Sequence, residues 1–319
     1  MQLPRELTQG IEELSREIAP AELARASAEL SSEYRGERKR RPRLDKLHQA
    51  AYLISRLPAT YAVLSRVFRE LRERIPGLHI ERMLDLGSGP GTVMWAAVDQ
   101  FPKLKKIVLV EDVSEWIAIG KELAKYSERD AIRSAEWQQG IATEQLSFGR
   151  FDLVTISYVL NELRSSDVIA VSRAAWNCTG ALLLIIEPGT PAGFERVRQV
   201  RRELIEQCGH IVAPCPHEGE CPMAAGDWCH FAQRLERSSV HRHAKSAMLG
   251  YEDEKYSYVA VGREPIHLPT ARILRHPHKH SGHVELELCT PQGLKRETIS
   301  KKQGAKYREA RRAEWGDTI

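Results

Sequence analysis

The segment Leu84-Asp-Leu-Gly-Ser-Gly-Pro-Gly91 decides the fold of this 319-residue chain. Its three glycines at alternate positions follow an apolar run that predicts a strand over 83–86, and they precede a predicted helix over 92–101. Glycine permits a tight turn and a close approach of the backbone to a ligand. Because the first N–H groups of a helix are free, they favour a polar or anionic ligand group. The segment therefore predicts a ligand-binding loop between a strand and a helix.

Short apolar runs alternate with helical segments on the C-terminal side of this loop. The predicted strands cover 106–110, 151–157, 181–186 and 256–261, and the predicted helices cover 114–126, 166–176 and 192–207. Such alternation is typical of a parallel sheet with helices on both faces. The predicted fold class is therefore α/β, with a Rossmann-like parallel sheet.

The pattern outside this sheet predicts three further regions. Apolar residues recur at helical spacing between Leu44 and Phe68, and Pro58 predicts a break in that helix. We divide the chain into an N-terminal helical region (1–75), a Rossmann-like cofactor-binding domain (76–207), a cysteine-rich segment that returns to the sheet (208–262), and a β-rich appendage with a basic tail (263–319).

Glu111 lies twenty residues after Gly91, at the end of the next predicted strand. A carboxylate at that position can accept hydrogen bonds from ribose hydroxyls. The G-x-G-x-G spacing resembles motif I of the class I S-adenosylmethionine-dependent methyltransferases. The resemblance implies that Asp85, Gly87, Gly89, Gly91 and Glu111 bind S-adenosylmethionine.

Two alternatives to a methyltransferase stay open for this domain. One is a dinucleotide reductase, although its loop normally has the spacing G-x-G-x-x-G. The other is a domain that keeps the fold without turnover. The segment 157–163, which follows the strand at 151–157, lacks an Asn-Pro-Pro-Tyr type motif, so the sequence assigns no catalytic residue.

Cys215, Cys221 and Cys229 lie within fifteen residues, with the spacing C-x5-C-x7-C. Thiolates select zinc, copper(I) or iron–sulfur clusters. The spacing is looser than the C-x2-C of common zinc sites, and prolines follow the first two cysteines as in ferredoxin-like corners. Cys289 is the best fourth ligand because a turn-rich segment follows it. The pattern favours an iron–sulfur cluster over zinc.

The remaining cysteines and two histidines define the alternative. Cys178 and Cys208 are interpreted as small packing residues, next to a buried strand and at a helix end. His217 and His230 keep a zinc site with three cysteines and one histidine possible.

The composition indicates a cellular compartment and limits the classes of partner. The chain has a formal net charge of +4, and its longest strongly apolar run, 181–186, is far shorter than the roughly 18 residues of a membrane span. The N-terminus shows neither a signal core nor a transit-peptide composition. We therefore expect a cytoplasmic protein with no membrane partner, and no DNA partner is expected.

The chain as a whole resembles the methyltransferase-like small-ribosomal-subunit assembly family that bacteria and mitochondria share. The matching segments are Arg56-Leu-Pro-Ala-Thr-Tyr61, Leu84–Gly91, Glu187-Pro-Gly-Thr-Pro191, Ala213-Pro-Cys-Pro-His217, Cys221-Pro222, Asp227-Trp-Cys-His-Phe231 and Tyr251-Glu-Asp-Glu-Lys-Tyr256. The segment with Trp-Cys-His-Phe is highly specific, whereas the glycine loop is common to methyltransferases.

The resemblance implies a [4Fe–4S] cluster held by Cys215, Cys221, Cys229 and Cys289. It also implies association with the small ribosomal subunit or its precursor, and an S-adenosylmethionine-dependent methyltransferase-like activity on or with small-subunit rRNA in ribosome assembly or translation. The alternative is a non-catalytic RNA-binding assembly factor with a structural zinc or a redox-sensing iron–sulfur site.

Basic segments are the candidates for contact with rRNA. The C-terminal segment combines aromatic Tyr307 and Trp315 with the basic residues Lys295, Arg296, Lys301, Lys302, Lys306, Arg308, Arg311 and Arg312. Phosphate contacts and base stacking use such residues, although a solvated helix packed on the domain would look similar. The run Arg38-Lys-Arg-Arg-Pro-Arg43 and the arginines of helix 192–207 allow the same two interpretations.

Overall fold

The computed structural model describes residues 2–35, 45–141, 148–236 and 251–319. The helices are α1 (Arg5–Ser15), α2 (Pro20–Arg35), α3 (Lys46–Ser55), α4 (Leu57–Arg74), α5 (Thr92–Gln100), α6 (Ser114–Ala124), α7 (Asp130–Arg133), α8 (Asp167–Asn177), α9 (Pro191–Glu206) and α10 (Ala305–Arg312). The strands are β1 (Arg82–Leu86), β2 (Lys106–Glu111), β3 (Glu136–Gln139), β4 (Phe151–Ser157), β5 (Thr179–Pro188), β6 (His210–Ala213), β7 (Phe231–Glu236), β8 (Tyr251–Gly262), β9 (Arg272–Ile273), β10 (His278–Lys279), β11 (His283–Thr290) and β12 (Gly293–Ser300). The basic run at 38–43 lies outside the described residues.

The larger sheet has the strand order β3-β2-β1-β4-β5-β8-β6, and β7 extends it by pairing with β8. The strands from β3 to β5 pair in parallel, whereas β8 runs antiparallel to β5, β6 and β7. This order, with one reversed strand near an edge, confirms the predicted class I methyltransferase, Rossmann-like fold. The reversal of β8 is the detail that the sequence did not predict.

The central strands are buried on both faces, as their continuous apolar runs require. Along β5, Leu182, Leu184 and Ile186 enter the core beneath α4 and α5, while Leu183 and Ile185 enter the core beneath α8 and α9. Successive side chains of a strand point to opposite faces, so one short run supplies both cores.

The predicted break at Pro58 is confirmed, because α3 ends at Ser55 and Pro58 lies in the first turn of α4. Proline is tolerated there since the first helical N–H groups have no partner within the helix. In the described part of the chain, no helix has the length and apolarity needed to cross a bilayer.

Strands β3, β6 and β7 were not predicted from the sequence. In β3, three of the four side chains are exposed and none is fully buried, so the segment lacks the apolar signal of the central strands. It forms a strand because it pairs with β2, in a register that joins Val108 to Glu136. Such an edge strand is stabilised by pairing with its neighbour, and the local hydrophobic periodicity does not predict it.

The C-terminal region forms a second sheet of the order β10-β11-β12, in which β9 also pairs with β11. Its inner face packs Ile273, Val284, Leu286, Leu288 and Ile299 around Ala310 of α10. The predicted β-rich appendage thus has an apolar core of its own.

A buried ion pair joins this second sheet to the rest of the molecule. The guanidinium of Arg272 in β9 pairs with Glu70 of α4 and also donates through Nε to the carbonyl of Pro214, at 2.8 Å. The hydroxyl of Tyr258 in β8 donates to the same carboxylate at 2.7 Å. Burial acts to raise the pKa of Glu70, but Arg272 and Tyr258 more than offset it, so the pKa lies below its usual value.

Replacing Arg272 by Met should lower the free energy of unfolding by about 1.5–3 kcal/mol, because the buried Glu70 would lose one of its two arginine partners and keep only Arg74. Urea unfolding at pH 7 measures the change. The matched control is Arg234→Met, which breaks an ion pair with Asp253 on the surface and should alter the free energy of unfolding little. Equal effects in the two variants would contradict the role of the buried pair.

Candidate functional site

The glycine loop connects β1 to α5 by a backbone path that needs glycine. Gly87, Gly89 and Gly91 have φ angles of 70°, 53° and 82°, in the left-handed region. The N–H groups of Gly87 and Ser88 donate to the carbonyl of Val110 at 2.8 and 3.1 Å, which fastens the loop to the end of β2. These two hydrogen bonds hold the loop against the end of β2.

The surroundings of the three glycines differ. A Cβ on Gly87 would lie 2.4 Å from the side chain of Val159, and a Cβ on Gly91 would lie 3.0 Å from Trp137. A Cβ on Gly89 would have no heavy atom within 4 Å. Gly87 and Gly91 thus permit close packing, whereas the backbone of Gly89 faces open space in which a ligand could lie.

Glu111 is buried at the end of β2, where the sequence predicts it. Its carboxylate accepts hydrogen bonds from the N–H groups of Gly89 at 2.7 Å and Val113 at 3.0 Å. Burial raises its pKa to about 7. Glu111 therefore supports the glycine loop itself, and a ribose hydroxyl would have to share this carboxylate with the two N–H groups.

Asp85 lies fully buried in β1, and its Oδ1 accepts a hydrogen bond from the Thr155 hydroxyl at 2.6 Å. Burial raises its pKa to about 7. Its second oxygen is one of several buried polar atoms without a hydrogen-bond partner among the described residues near the carboxyl ends of the strands. These atoms are Asp85 Oδ2, Thr92 Oγ1, Ser157 Oγ, Tyr158 OH, Asn161 Oδ1 and Glu187 Oε2.

Buried polar atoms normally have partners, so a cluster of unpaired ones indicates a place for water or a polar ligand. In open parallel sheets ligands bind at the carboxyl ends of the strands. The unpaired atoms and the open space at Gly89 both lie at these ends. The residues present therefore fit a polar ligand such as a nucleoside.

Glu187 is a site residue that the sequence analysis did not identify. It lies near the end of β5, fully buried, and its Oε1 accepts a hydrogen bond from the N–H of Leu160 at 2.9 Å. Burial raises its pKa to about 8, so its proton is held near neutral pH. The only signal in the sequence is an acidic residue directly after a strongly apolar strand.

The structure brings the four predicted cysteines to the walls of one cavity of about 40 Å³. Cys215 follows β6, Cys221 lies in the loop between β6 and β7, and Cys229 directly precedes β7. Cys289 comes from β11 of the second sheet. A single water needs roughly 10–15 Å³ by a comparable measure, so the cavity is larger than one atom.

The cavity combines thiols with positive charge. Burial raises the pKa of Cys229 well above its ordinary value and that of Cys289 to about 12, and the neighbouring cysteines add to both shifts. The side chains of Arg198, Arg201 and Arg272 line the same cavity. Such a site disfavours free thiolates at Cys229 and Cys289, and its arginines suit it electrostatically to an anionic, thiolate-ligated group.

The spacing of the sulfur atoms can be compared with the spacing that a zinc ion requires. Among residues 2–35, 45–141, 148–236 and 251–319, no three cysteines have sulfur atoms that all lie within 4.8 Å of one another. Four thiolates on a tetrahedral zinc ion, with Zn–S bonds of about 2.3 Å, would lie roughly 3.8 Å apart. In each such trio at least one pair of sulfur atoms is therefore farther apart than in a closed zinc site, so a zinc ion would require the side chains to move inward.

The two histidines of the zinc alternative lie in different surroundings. His217 lines the cavity, and its Nε2 is 3.5 Å from Cys289 Sγ. His230 instead stacks on the ring of Trp228, with 5.1 Å between ring centroids. His217 is the histidine that could replace a thiolate.

Two hydrogen bonds hold the cysteine loop in place. Arg201 donates to the carbonyl of His217 at 2.7 Å, and the indole N–H of Trp228 donates to the carbonyl of Gly189 at 3.0 Å. The loop 214–230 has no helix or strand. Hydrogen bonds from side chains to its backbone therefore take the place of the backbone–backbone bonds of regular secondary structure. Arg198 and Arg201 of α9 line the cysteine cavity. Arg201 also holds the loop through its hydrogen bond to the carbonyl of His217.

The aromatic residues of the C-terminal segment are half-buried and packed against other side chains. The ring of Trp315 lies between His230 and His276, with 4.9 Å between its centroid and each of theirs. Tyr307 packs against the core of the second sheet, and its hydroxyl donates to the carbonyl of Ser281 at 3.5 Å. These contacts occupy the rings that the sequence offers for base stacking.

Several basic residues of the same segment pair with carboxylates. Lys295 and Lys306 both contact Glu297, and Arg296 lies 2.9 Å from Glu287. Arg311 is exposed but donates to the carbonyl of His280, and four further basic side chains are exposed: Lys301, Lys302, Arg308 and Arg312. These four are the candidates for contact with phosphates.

Comparison with known proteins finds a family model that matches most of the chain. The chain matches the family described as mitochondrial small ribosomal subunit Rsm22 over residues 46–319. It is 28% identical over 288 residues to the human protein named ribosome assembly protein METTL17, mitochondrial, in an alignment covering 84% of this chain and 61% of that protein. It is 22% identical to ribosome assembly protein RSM22, mitochondrial, of Saccharomyces cerevisiae, over 87% of this chain and 68% of that protein.

Among solved structures, magnesium protoporphyrin IX methyltransferase from Synechocystis PCC 6803, with S-adenosylmethionine bound, is similar to this chain. The match has a TM-score of 0.42 and 9% identity, and it covers 75% of this chain and 97% of that one. The chain spans less than two thirds of the length of the human relative.

The comparisons correct one prediction. The expected cytoplasmic location is wrong, because the matched family and both named relatives are mitochondrial. That prediction relied on the composition of the first residues alone. Such composition is not a property of the folded region that the comparisons match.

The glycine loop allows a matched test of packing. Gly87→Ala and Gly89→Ala each place an L side chain at a positive φ, at a cost of about 1–2 kcal/mol. Only Gly87→Ala also meets Val159, so it should be less stable than Gly89→Ala by about 1–3 kcal/mol. Thermal and urea unfolding measure the difference. Identical stabilities would contradict the close contact.

Proposed function

The chain belongs to the mitochondrial small ribosomal subunit Rsm22 family, and from that premise we propose that it acts in assembly of the small ribosomal subunit. In this proposal the Rossmann-like domain binds S-adenosylmethionine and the four cysteines hold a [4Fe–4S] cluster. The protein associates with the subunit or its precursor through rRNA. The single observation that carries the proposal is the meeting of Cys215, Cys221, Cys229 and Cys289 at one cavity in a chain of this family.

The donor set and its surroundings support an iron–sulfur cluster. Four thiols line one cavity, and the three arginines that line it would offset the negative charge of a thiolate-ligated cluster. When bound, such a cluster supplies a redox-active centre whose potential depends on hydrogen bonds and exposure. Zinc, with His217 in place of one thiolate, is the alternative occupant.

The cysteines would brace the molecule by linking segments that are far apart in sequence. Cys215, Cys221 and Cys229 belong to the loop between β6 and β7, whereas Cys289 belongs to the second sheet. A group bound to all four fixes the second sheet against the loop. The exposed basic residues at 301–312, which follow β12 directly, would then face the rRNA from a fixed direction.

The glycine loop supports binding of S-adenosylmethionine. Gly89 leaves open space at the carboxyl ends of the strands, and unpaired polar atoms lie at the same ends. The residues here would bind and orient the ligand. Methyl transfer to rRNA is a second candidate function, favoured by the buried carboxyl of Glu187, whose pKa of about 8 suits a group that holds a proton near the reacting centre.

The metal content tests the cluster. Protein purified without oxygen should contain close to four iron and four sulfide per chain, with visible absorption, and Cys221→Ser should lose most of both. Cys208→Ser is the matched control, because Cys208 is exposed and does not line the cavity. One zinc per chain with no sulfide would overturn the cluster and leave a structural zinc site.

The role in assembly and the cofactor are tested together. In cells depleted of this protein, the wild-type chain should restore the small-subunit peak on a sucrose gradient; failure to do so would contradict the assembly role. Gly89→Asp should abolish calorimetric binding of S-adenosylmethionine, because the carboxylate fills the ligand space beside Glu111. Gly77→Asp is the control, since Gly77 has a positive φ of 89° and open space around it, away from both sites.

The gradient then separates the two candidate functions. If Gly89→Asp restores the small subunit without binding S-adenosylmethionine, the protein acts as a non-catalytic assembly factor. If assembly fails although the variant folds, binding or turnover of the cofactor is required.

A further inference from the structure

A histidine-rich hairpin lies outside both sites described above. The segment His276-Pro-His-Lys-His-Ser-Gly-His283 joins β10 to β11. The N–H of His280 donates to the carbonyl of His283 at 2.9 Å, which closes a two-residue turn of Ser281 and Gly282. This turn fixes the register of the hairpin.

This register places side chains that can bind a metal on one face of the hairpin. His280 and His283 face each other across the turn, and the next pair on the same face of the hairpin is His278 opposite Glu285. Because side chains alternate between faces, residues 278, 280, 283 and 285 share one face, opposite to the inward-pointing Val284. This face belongs to the outer surface of the second sheet.

We propose that His280, His283 and Glu285 form a surface site for a divalent transition metal ion. Their ligand atoms all lie within 4.8 Å of one another, and no ion occupies this position. His283 Nε2 is 3.3 Å from Glu285 Oε1, and the two imidazole rings are stacked with centroids 4.5 Å apart. Imidazole and carboxylate are ligands that zinc, copper, nickel and iron accept.

The geometry needs only small rotations to close on an ion. Ligand atoms bound to one ion at roughly 2.1 Å lie about 3–4 Å apart; His283 and Glu285 already have this spacing at 3.3 Å, and all three ligand atoms lie within 4.8 Å of one another. The hairpin is braced by α10, since Arg311 donates to the carbonyl of His280 at 3.2 Å. Three protein ligands leave a position open for water or for His278, which faces Glu285 in the register.

Calorimetric titration with Zn²⁺ tests the site. The wild-type protein should bind one equivalent more than the double variant His280→Ala/His283→Ala. Because both proteins have the same cysteines, the difference between the two titrations belongs to the hairpin, whatever the cysteines hold. The test is therefore independent of the proposed function.

Two further variants complete the experiment. Glu285→Gln, which keeps shape and removes the carboxylate, should weaken binding roughly tenfold or more. His267→Ala removes an exposed histidine outside the group and should leave the titration unchanged. Equal stoichiometry and affinity in the wild type and the double variant, with equal melting temperatures, would overturn the site. An unchanged affinity in Glu285→Gln would overturn the three-ligand assignment.

Discussion

The buried pair of Arg272 and Glu70 is the interaction on which the arrangement of this molecule depends. It joins α4, which covers one face of the large sheet, to β9 of the second sheet, and it adds a bond to the carbonyl of Pro214 at the start of the cysteine loop. Burying two charges is costly unless their geometry and remaining hydrogen bonds are satisfied. Tyr258 and the backbone carbonyls satisfy them, so only one docking of the second sheet keeps the charges paired.

The cysteine cavity is a consequence of that docking. Cys289 is separated by sixty residues from Cys229 in the chain, and it reaches the cavity only because β11 pairs with β9, which carries Arg272. The same guanidinium lines the cavity and lowers the electrostatic cost of thiolates there. The residue that docks the second sheet thus also prepares the site for an anionic group.

The two candidate sites adjoin at the end of β5. Glu187 belongs to the ligand edge of the large sheet, while Gly189, two residues later, accepts the indole N–H of Trp228 beside Cys229. A Cβ on Gly189 would lie 2.6 Å from the backbone of Tyr256, so this turn is tightly packed against β8. A change in the conformation of the cysteine loop would therefore alter the packing of Gly189, two residues from the buried carboxyl of Glu187 at the strand ends.

The sequence by itself determined the central strands, the glycine loop with Glu111, and the grouping of Cys215, Cys221 and Cys229, because periodicity and short spacings are local properties of a chain. Only the tertiary structure decided the pairing of β3 and the reversal of β8, because the residues of each strand do not by themselves specify which strand it pairs with or in which direction. It also decided that Glu187 is buried without a full set of partners and that arginines of α9 face the thiols. These features arise where distant segments meet, and their energies depend on burial and charge pairing that no local pattern records.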